Sequence, residues 1–222
     1  GMTRVYKCLA AWVLPLALMG TGAAQEARAP LAAQVSERGD AVLLEMAQAF
    51  KRNDRRRLTA LLPQARGHLL EPWAAYWELR ARLDEVAALT RAWPVRPRVY
   101  FEEWDEPRFS AIRWVSELMG LAGGDDCFPE LARESLGKNR ILASDDPVLS
   151  RAPDIIIGSW CGKKFRPEKV SERPGWAAVP AVRDAQLYEI KSTDILQPGP
   201  AALTDGFEQL HALMKQWVAR HA

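Results

Sequence analysis

The chain is poor in the residues that announce catalysis or polyanion binding. Of its 222 residues only three are histidine and three cysteine. His68, His211 and His221 show no metal-ligand spacing among themselves or toward a cysteine pair, so no metal centre is expected. Gly123-Gly124 fits neither a Walker A loop nor a dinucleotide fingerprint, which excludes those nucleotide sites. Ser159 precedes a tryptophan and lacks the G-x-S-x-G elbow, and no histidine lies in the loops around it to act as a base. One sign of charge does not dominate either. Removing Arg4 and Lys7 with a leader leaves 28 basic against 28 acidic residues, so no global field draws the chain to nucleic acid or anionic lipid. The apolar run Leu9–Met19 falls well short of the ~20 residues that a spanning helix needs.

What is there begins with that run. Arg4 and Lys7 before it and Gly22-Ala23-Ala24 after it read as a cleaved secretory signal over residues 1–24, which implies export to the periplasm. A hydrophobic share of 48% is enough for a packed core. Residues 25–38 are Ala-rich and polar and read as a flexible start. Residues 39–93 read as a helical array. Asp40 is placed to cap a first helix with Val42, Met46, Ala49 and Phe50 on one face. Asn53-Asp54 restarts a second, which Pro63 stops, and Pro72 fits the first turn of a third carrying Trp73, Tyr76, Trp77 and Leu83. The basic run Lys51–Arg57 reads as a solvated corner between helices.

Beyond Pro94 and Pro97 the periodicity changes, and residues 94–222 read as an α/β lobe. Strands are expected at Arg98–Phe101, Arg140–Ala143, Asp154–Ser159 and Gln186–Lys191. Helices are expected from Pro107 to Leu121, after Ser144, near Pro167–Glu172, and from Pro200 with the stripe Leu203, Phe207, Leu210, Met214 and Trp217. This alternation predicts a Rossmann-like, doubly wound parallel sheet. Such a topology gathers the strand carboxyl ends at one edge, where ligands bind. Glu103, Trp104 and Asp105 would meet Trp160, Cys161 and Lys163 there, together with Thr193 and Asp194. The two indoles offer flat apolar walls, with the acids and lysine fixing orientation; closing the core is their alternative role. Cys127 and Cys161 can pair in an oxidising compartment, for ~3 kcal/mol, if their Cα atoms lie close enough.

The segments VYFEEWDEP, RAPDIIIGSWCGKKF and RPGWAAVPAVRDAQLYEIKS resemble the carboxyl-terminal lobe of periplasmic solute-binding proteins of the cobalamin and iron-siderophore ABC importers, over about residues 95–219. The resemblance implies a corrinoid or siderophore-type ligand held between two lobes, a membrane permease as partner, and no enzymatic activity. It carries Glu103, Trp104, Asp105, Trp160, Cys161, Lys163, Thr193 and Asp194 over to cleft loops. It carries Asp145 or Asp146 over to the carboxylate that meets permease arginines, against a role in stabilising a helix N-terminus. Residues 35–83 are instead similar to the opening helices of soluble lytic murein transglycosylases, so the chain reads as a chimera of two exported families. That likeness implies an alternative, a peptidoglycan-processing fragment. Glu134-Ser135 is its only candidate catalytic pair, and the surrounding residues match the solute-binding lobe instead.

Overall fold

The computed structural model of the protein describes residues 29–222. They open with three helices, α1 (Ala29–Lys51), α2 (Arg55–Leu61) and α3 (Glu71–Arg91). Asp54 caps α2 by accepting from the Arg57 N–H at 3.0 Å, which satisfies one of the orphan donors of the first turn. Pro63 lies in the 3-10 turn Leu62–Ala65 that ends α2, and Pro72 sits in the first turn of α3. Met46, Ala49, Leu58, Leu61 and Ala74 close a small core between the three helices. Two expectations change. The stretch read as a flexible start is helical from Ala29, and Asp40 lies inside α1 rather than at its cap. Asp40 Oδ1 is 2.7 Å from His68 Nε2, and so ties α1 to the loop before α3. The signal reading falls on residues 1–24, outside the described residues.

Helix α3 serves two cores. Ala74 and Ala81 face the helical cluster, whereas Leu83 packs with Val99 and Val115 of the α/β part. A 21-residue helix is about 30 Å long, so it reaches both without a break near Leu83.

The remaining elements are β1 (Arg98–Asp105), β2 (Arg108–Ser110), α4 (Arg113–Ala122), β3 (Asp125–Asp126), α5 (Pro129–Ala132), α6 (Asp146–Arg151), β4 (Ile155–Gly158), α7 (Glu168–Ser171), α8 (Pro180–Arg183), β5 (Leu187–Glu189), α9 (Ser192–Ile195) and α10 (Phe207–His221). The strands order β2-β1-β4-β5, and β3 pairs with the amino end of β1. Strands β3, β1, β4 and β5 run parallel, and β2 runs antiparallel to β1. The sheet is therefore mixed and parallel-dominated, where a purely parallel one was expected. The difference arises at Glu106-Pro107, which turns the chain back so that Phe109 and Ser110 pair with Trp104 and Glu102. The helix expected from Pro107 consequently starts only at Arg113. The strand expected at Arg140–Ala143 shrinks to a single bridge, Phe109–Ile141, because Gly137–Arg140 forms a 3-10 turn.

The period of two along β1 and β4 divides the core. Val99, Phe101, Ile155 and Ile157 face α4 and α10, while Tyr100 and Ile156 face Phe128, Val148, Val170 and Trp176. Helix α10 follows one π-helical turn, Ala202–Gly206, and buries the expected Phe207, Leu210 and Met214. Gly123 ends α4 at φ 108, a left-handed value that L side chains rarely adopt, and a Cβ there would strike the Trp93 ring.

Candidate functional site

Strand β1 delivers Glu102 to the Tyr100 face, completely buried and level with Gly158 at the end of β4. A buried carboxylate needs partners on both oxygens. Arg173 supplies a fork, Nη1 to Oε2 at 2.8 Å and Nη2 to Oε1 at 2.9 Å. The Tyr100 hydroxyl donates to Oε2 at 2.9 Å and Trp160 Nε1 donates to Oε1 at 3.1 Å. Burial and then the Glu102 charge push the Tyr100 hydroxyl well above its ordinary value. Burial works to lower the Arg173 guanidinium, but Glu102 outweighs it and leaves it raised. This network locks the ends of β1 and β4 together. Sequence reading missed it, although a glutamate on the apolar face of a strand is itself the signal that an arginine must come from elsewhere.

Next to it, the last residues of β1, which was expected to end at Phe101 and runs on to Asp105, meet the loop after β4. Lys163 forms an ion pair with Asp105, and its Nζ lies 4.4 Å from the Trp104 ring centroid and 5.2 Å from that of Trp160. The Trp104 indole N–H donates to Glu106 O at 2.8 Å, which fixes its ring. Burial works to raise the Asp105 carboxyl; the Lys163 ammonium outweighs it and holds the carboxyl below the ordinary range. Trp160 is only 3% exposed and packs edge-on against Phe165, so it closes the core and shows the site one face at most.

The other expected residues part company with this cluster. Glu103 turns inward to accept from the Ile112 N–H at 2.5 Å and to pair with Arg140 at 3.0 Å; burial raises its carboxyl against the pull of Arg140. Thr193 and Asp194 begin α9 and are held by contacts to each other and to α10. The Thr193 hydroxyl donates to Asp194 Oδ1, and Gln209 Nε2 donates to Oδ2, each at 3.1 Å. Asp145 is engaged by Arg108 at 2.8 Å and by the Trp176 indole at 2.9 Å, whereas Asp146 is exposed. Exposed Glu134 accepts from Asn139 Nδ2 at 3.0 Å, in no apolar pocket that would raise a catalytic acid.

Cys127 and Cys161 are both free. The Cys127 N–H donates to Val99 O near the start of β1, whereas Cys161 lies past the carboxyl end of β4. Val99 is level with Ile155, so at about 3.3 Å per residue the end of β4 is already about 10 Å away, beyond disulfide reach. Burial and then the Asp126 charge push the Cys127 thiol up to about 12. Iodoacetamide at pH 8 is expected to label Cys161 and to spare Cys127 until denaturant is added. Peptide mass mapping checks this, and early labelling of Cys127 would contradict the burial argument.

A cleft of about 630 Å3 opens beside the β1–β2 turn, lined by Asp105, Glu106, Arg108, Leu142, Lys169 and Arg173. Two of its lining side chains, Arg173 and Arg108, place their guanidinium carbons 4.7 and 5.9 Å from the centroid of the Trp176 ring. The arrangement suits recognition of a sizeable polar ligand through paired charges. Among the described residues, no group of His, Cys, Asp and Glu is placed to hold a metal ion, and no helix is long and apolar enough to cross a membrane.

Comparison with known proteins follows this geometry. The structure is similar to an ABC transporter substrate-binding protein from Listeria monocytogenes, with 16% identity, a TM-score of 0.55, and coverage of 73% of this chain and 63% of that one. It is similar to CeuE of Helicobacter pylori with 17% identity, a TM-score of 0.53, and coverage of 74% and 52%. The vitamin B12 binding protein BtuF of Vibrio cholerae matches at 21% identity and a TM-score of 0.49, covering 73% of this chain and 60% of that one. The chain thus spans less than two thirds of the length of these proteins. No curated protein matches it. The likeness of residues 35–83 to transglycosylases finds no support in these matches. The periplasmic binding protein family model matches residues 74–193, more than half of the chain, from within α3 into α9. The chain belongs to the periplasmic binding protein family.

Proposed function

We propose that the chain is the ligand-capturing lobe of an ABC importer for a corrinoid or related metal chelate, working outside the cytoplasmic membrane and presenting its load to a permease. The observation that carries this is the meeting of Trp104, Asp105 and Lys163 beside the cleft at the carboxyl edge of the sheet, in a chain of this family. In a doubly wound sheet that edge is where ligands sit. The resemblance of the strand-end segments to cobalamin- and siderophore-type binding proteins supports the ligand class, and CeuE of Helicobacter pylori, similar in fold, was solved with nickel bound. Exposed Asp146, in the first turn of α6, is the acid proposed to meet the permease. No group with nucleophile and base geometry competes with binding as the role of the site among the described residues.

Titration of the full chain with cyanocobalamin, followed by tryptophan emission and calorimetry, tests the reading. With one lobe of contacts the dissociation constant is expected to be weak, in the range of about 10 µM to 1 mM. Saturable binding that is weakened by Lys169→Ala, a cleft-lining substitution, supports the proposal. No saturable signal from cyanocobalamin, haem or a nickel–histidine chelate would overturn it.

A further inference from the structure

Lys163 sits where a ligand would. Its ammonium is flanked by two indole faces and one carboxylate, and these walls come from different parts of the chain: Trp104 and Asp105 are the last residues of β1, and Trp160 follows β4. The two indole walls are oriented by bonds that do not involve Lys163. Trp104 is oriented by its bond to Glu106 O, and Trp160 by its bond to Glu102, which Arg173 and Tyr100 hold in turn. Asp105 is mostly buried, with a side chain 11% exposed. The occupant is held far less firmly. Lys163 has a side chain 38% exposed and follows Gly162, which adopts φ 74 with open space around it.

A fixed box of aromatic faces and a carboxylate is the arrangement that binds organic ammonium ions. Here a tethered ammonium fills it. We propose that the Trp104–Asp105–Trp160 box is a binding site for an alkylammonium group of the ligand, and that Lys163 is a built-in competitor which occupies the box until that group displaces it. The chemistry is an exchange of one cation for another, with no bond made or broken. Its consequence is selectivity. A ligand without a protruding ammonium leaves Lys163 in place and reaches only the neighbouring cleft, whereas one that carries it gains the box and frees the turn 161–164. Because Lys163 is tethered, its effective concentration in the box is high, and a free cation binds more weakly by the fraction of time the box is filled.

The proposal rests on the reading that this edge faces ligand, yet it is measured with a different probe. Ligand-observed NMR with n-butylammonium on the full chain gives the affinities of the wild type, Lys163→Ala, and Lys163→Ala combined with Trp104→Ala. Removing the competitor is expected to tighten binding by about tenfold, the scale of one exposed ion pair plus a cation–π contact. Adding Trp104→Ala should return the affinity to the wild-type level or below. Equal affinities for wild type and Lys163→Ala would overturn the proposal, as would tight binding that survives loss of Trp104. Circular dichroism confirms folding, and Lys163→Ser replaces the alanine variant if that one does not fold. Failure of cyanocobalamin, haem and the nickel–histidine chelate all to bind while n-butylammonium behaves as expected sinks the transport reading alone; the reverse result sinks the box alone.

Discussion

Arg173→Leu is expected to cost about 3–5 kcal/mol of folding free energy, the largest single effect at this site, because it strands a fully buried carboxylate. Glu102 would keep the Tyr100 and Trp160 donors and lose the Arg173 guanidinium that pairs with it. Desolvating an ion is repaid only when its counter-ion and hydrogen bonds are present together. The double variant Glu102→Leu with Arg173→Leu removes both charges, and is expected to recover most of the loss because apolar side chains suit that interior. Urea unfolding with a constant m-value measures both variants. A loss below about 1 kcal/mol for Arg173→Leu would show that the pair is not the buried clasp described here.

Gly158→Ala is expected to destabilise by about 2–3 kcal/mol through overpacking. A Cβ on Gly158 would lie 1.9 Å from Cδ2 and 2.7 Å from Cγ of Phe165, too close along the ring for a small rotation to relieve. Phe165 is 3% exposed and packs against Trp160, so displacing it moves a wall of the lysine box. The variant is therefore expected to alter tryptophan emission and to weaken n-butylammonium binding as well as stability. Combining it with Phe165→Leu should restore part of the stability, since the two side chains compete for one volume. Additive losses in the double variant would contradict that shared-volume account.

The sequence displayed some parts of this molecule and concealed others for physical reasons. The Leu203–Trp217 stripe of the closing helix and the apolar run Ile155-Ile156-Ile157 are local periodicities, and a neighbour-by-neighbour reading finds them. The Asp54 cap and the Pro72 start are equally local. The hairpin at Glu106-Pro107 escaped because Arg108–Ser110 is too short to show alternation, and its pairing partner, not its propensity, makes it a strand. Asp40 escaped because its helix begins earlier than its composition suggests. The meeting of Asp105 and Lys163 was legible, since parallel topology dictates it. The separation of Thr193 and Asp194 was not, because contacts to α10 set their place.

By itself the sequence determined which residues would be inside and which strand ends would carry the polar and aromatic groups. These follow from hydrophobic period and residue chemistry, and both act over a few positions. Only the tertiary structure decided that Trp160 is a wall more than a surface, that Cys127 and Cys161 stand apart, that Arg173 answers Glu102 across 71 positions of sequence, and that Lys163 fills the box its neighbours make. Each of these depends on where separate strands end in space, and no local pattern encodes that distance.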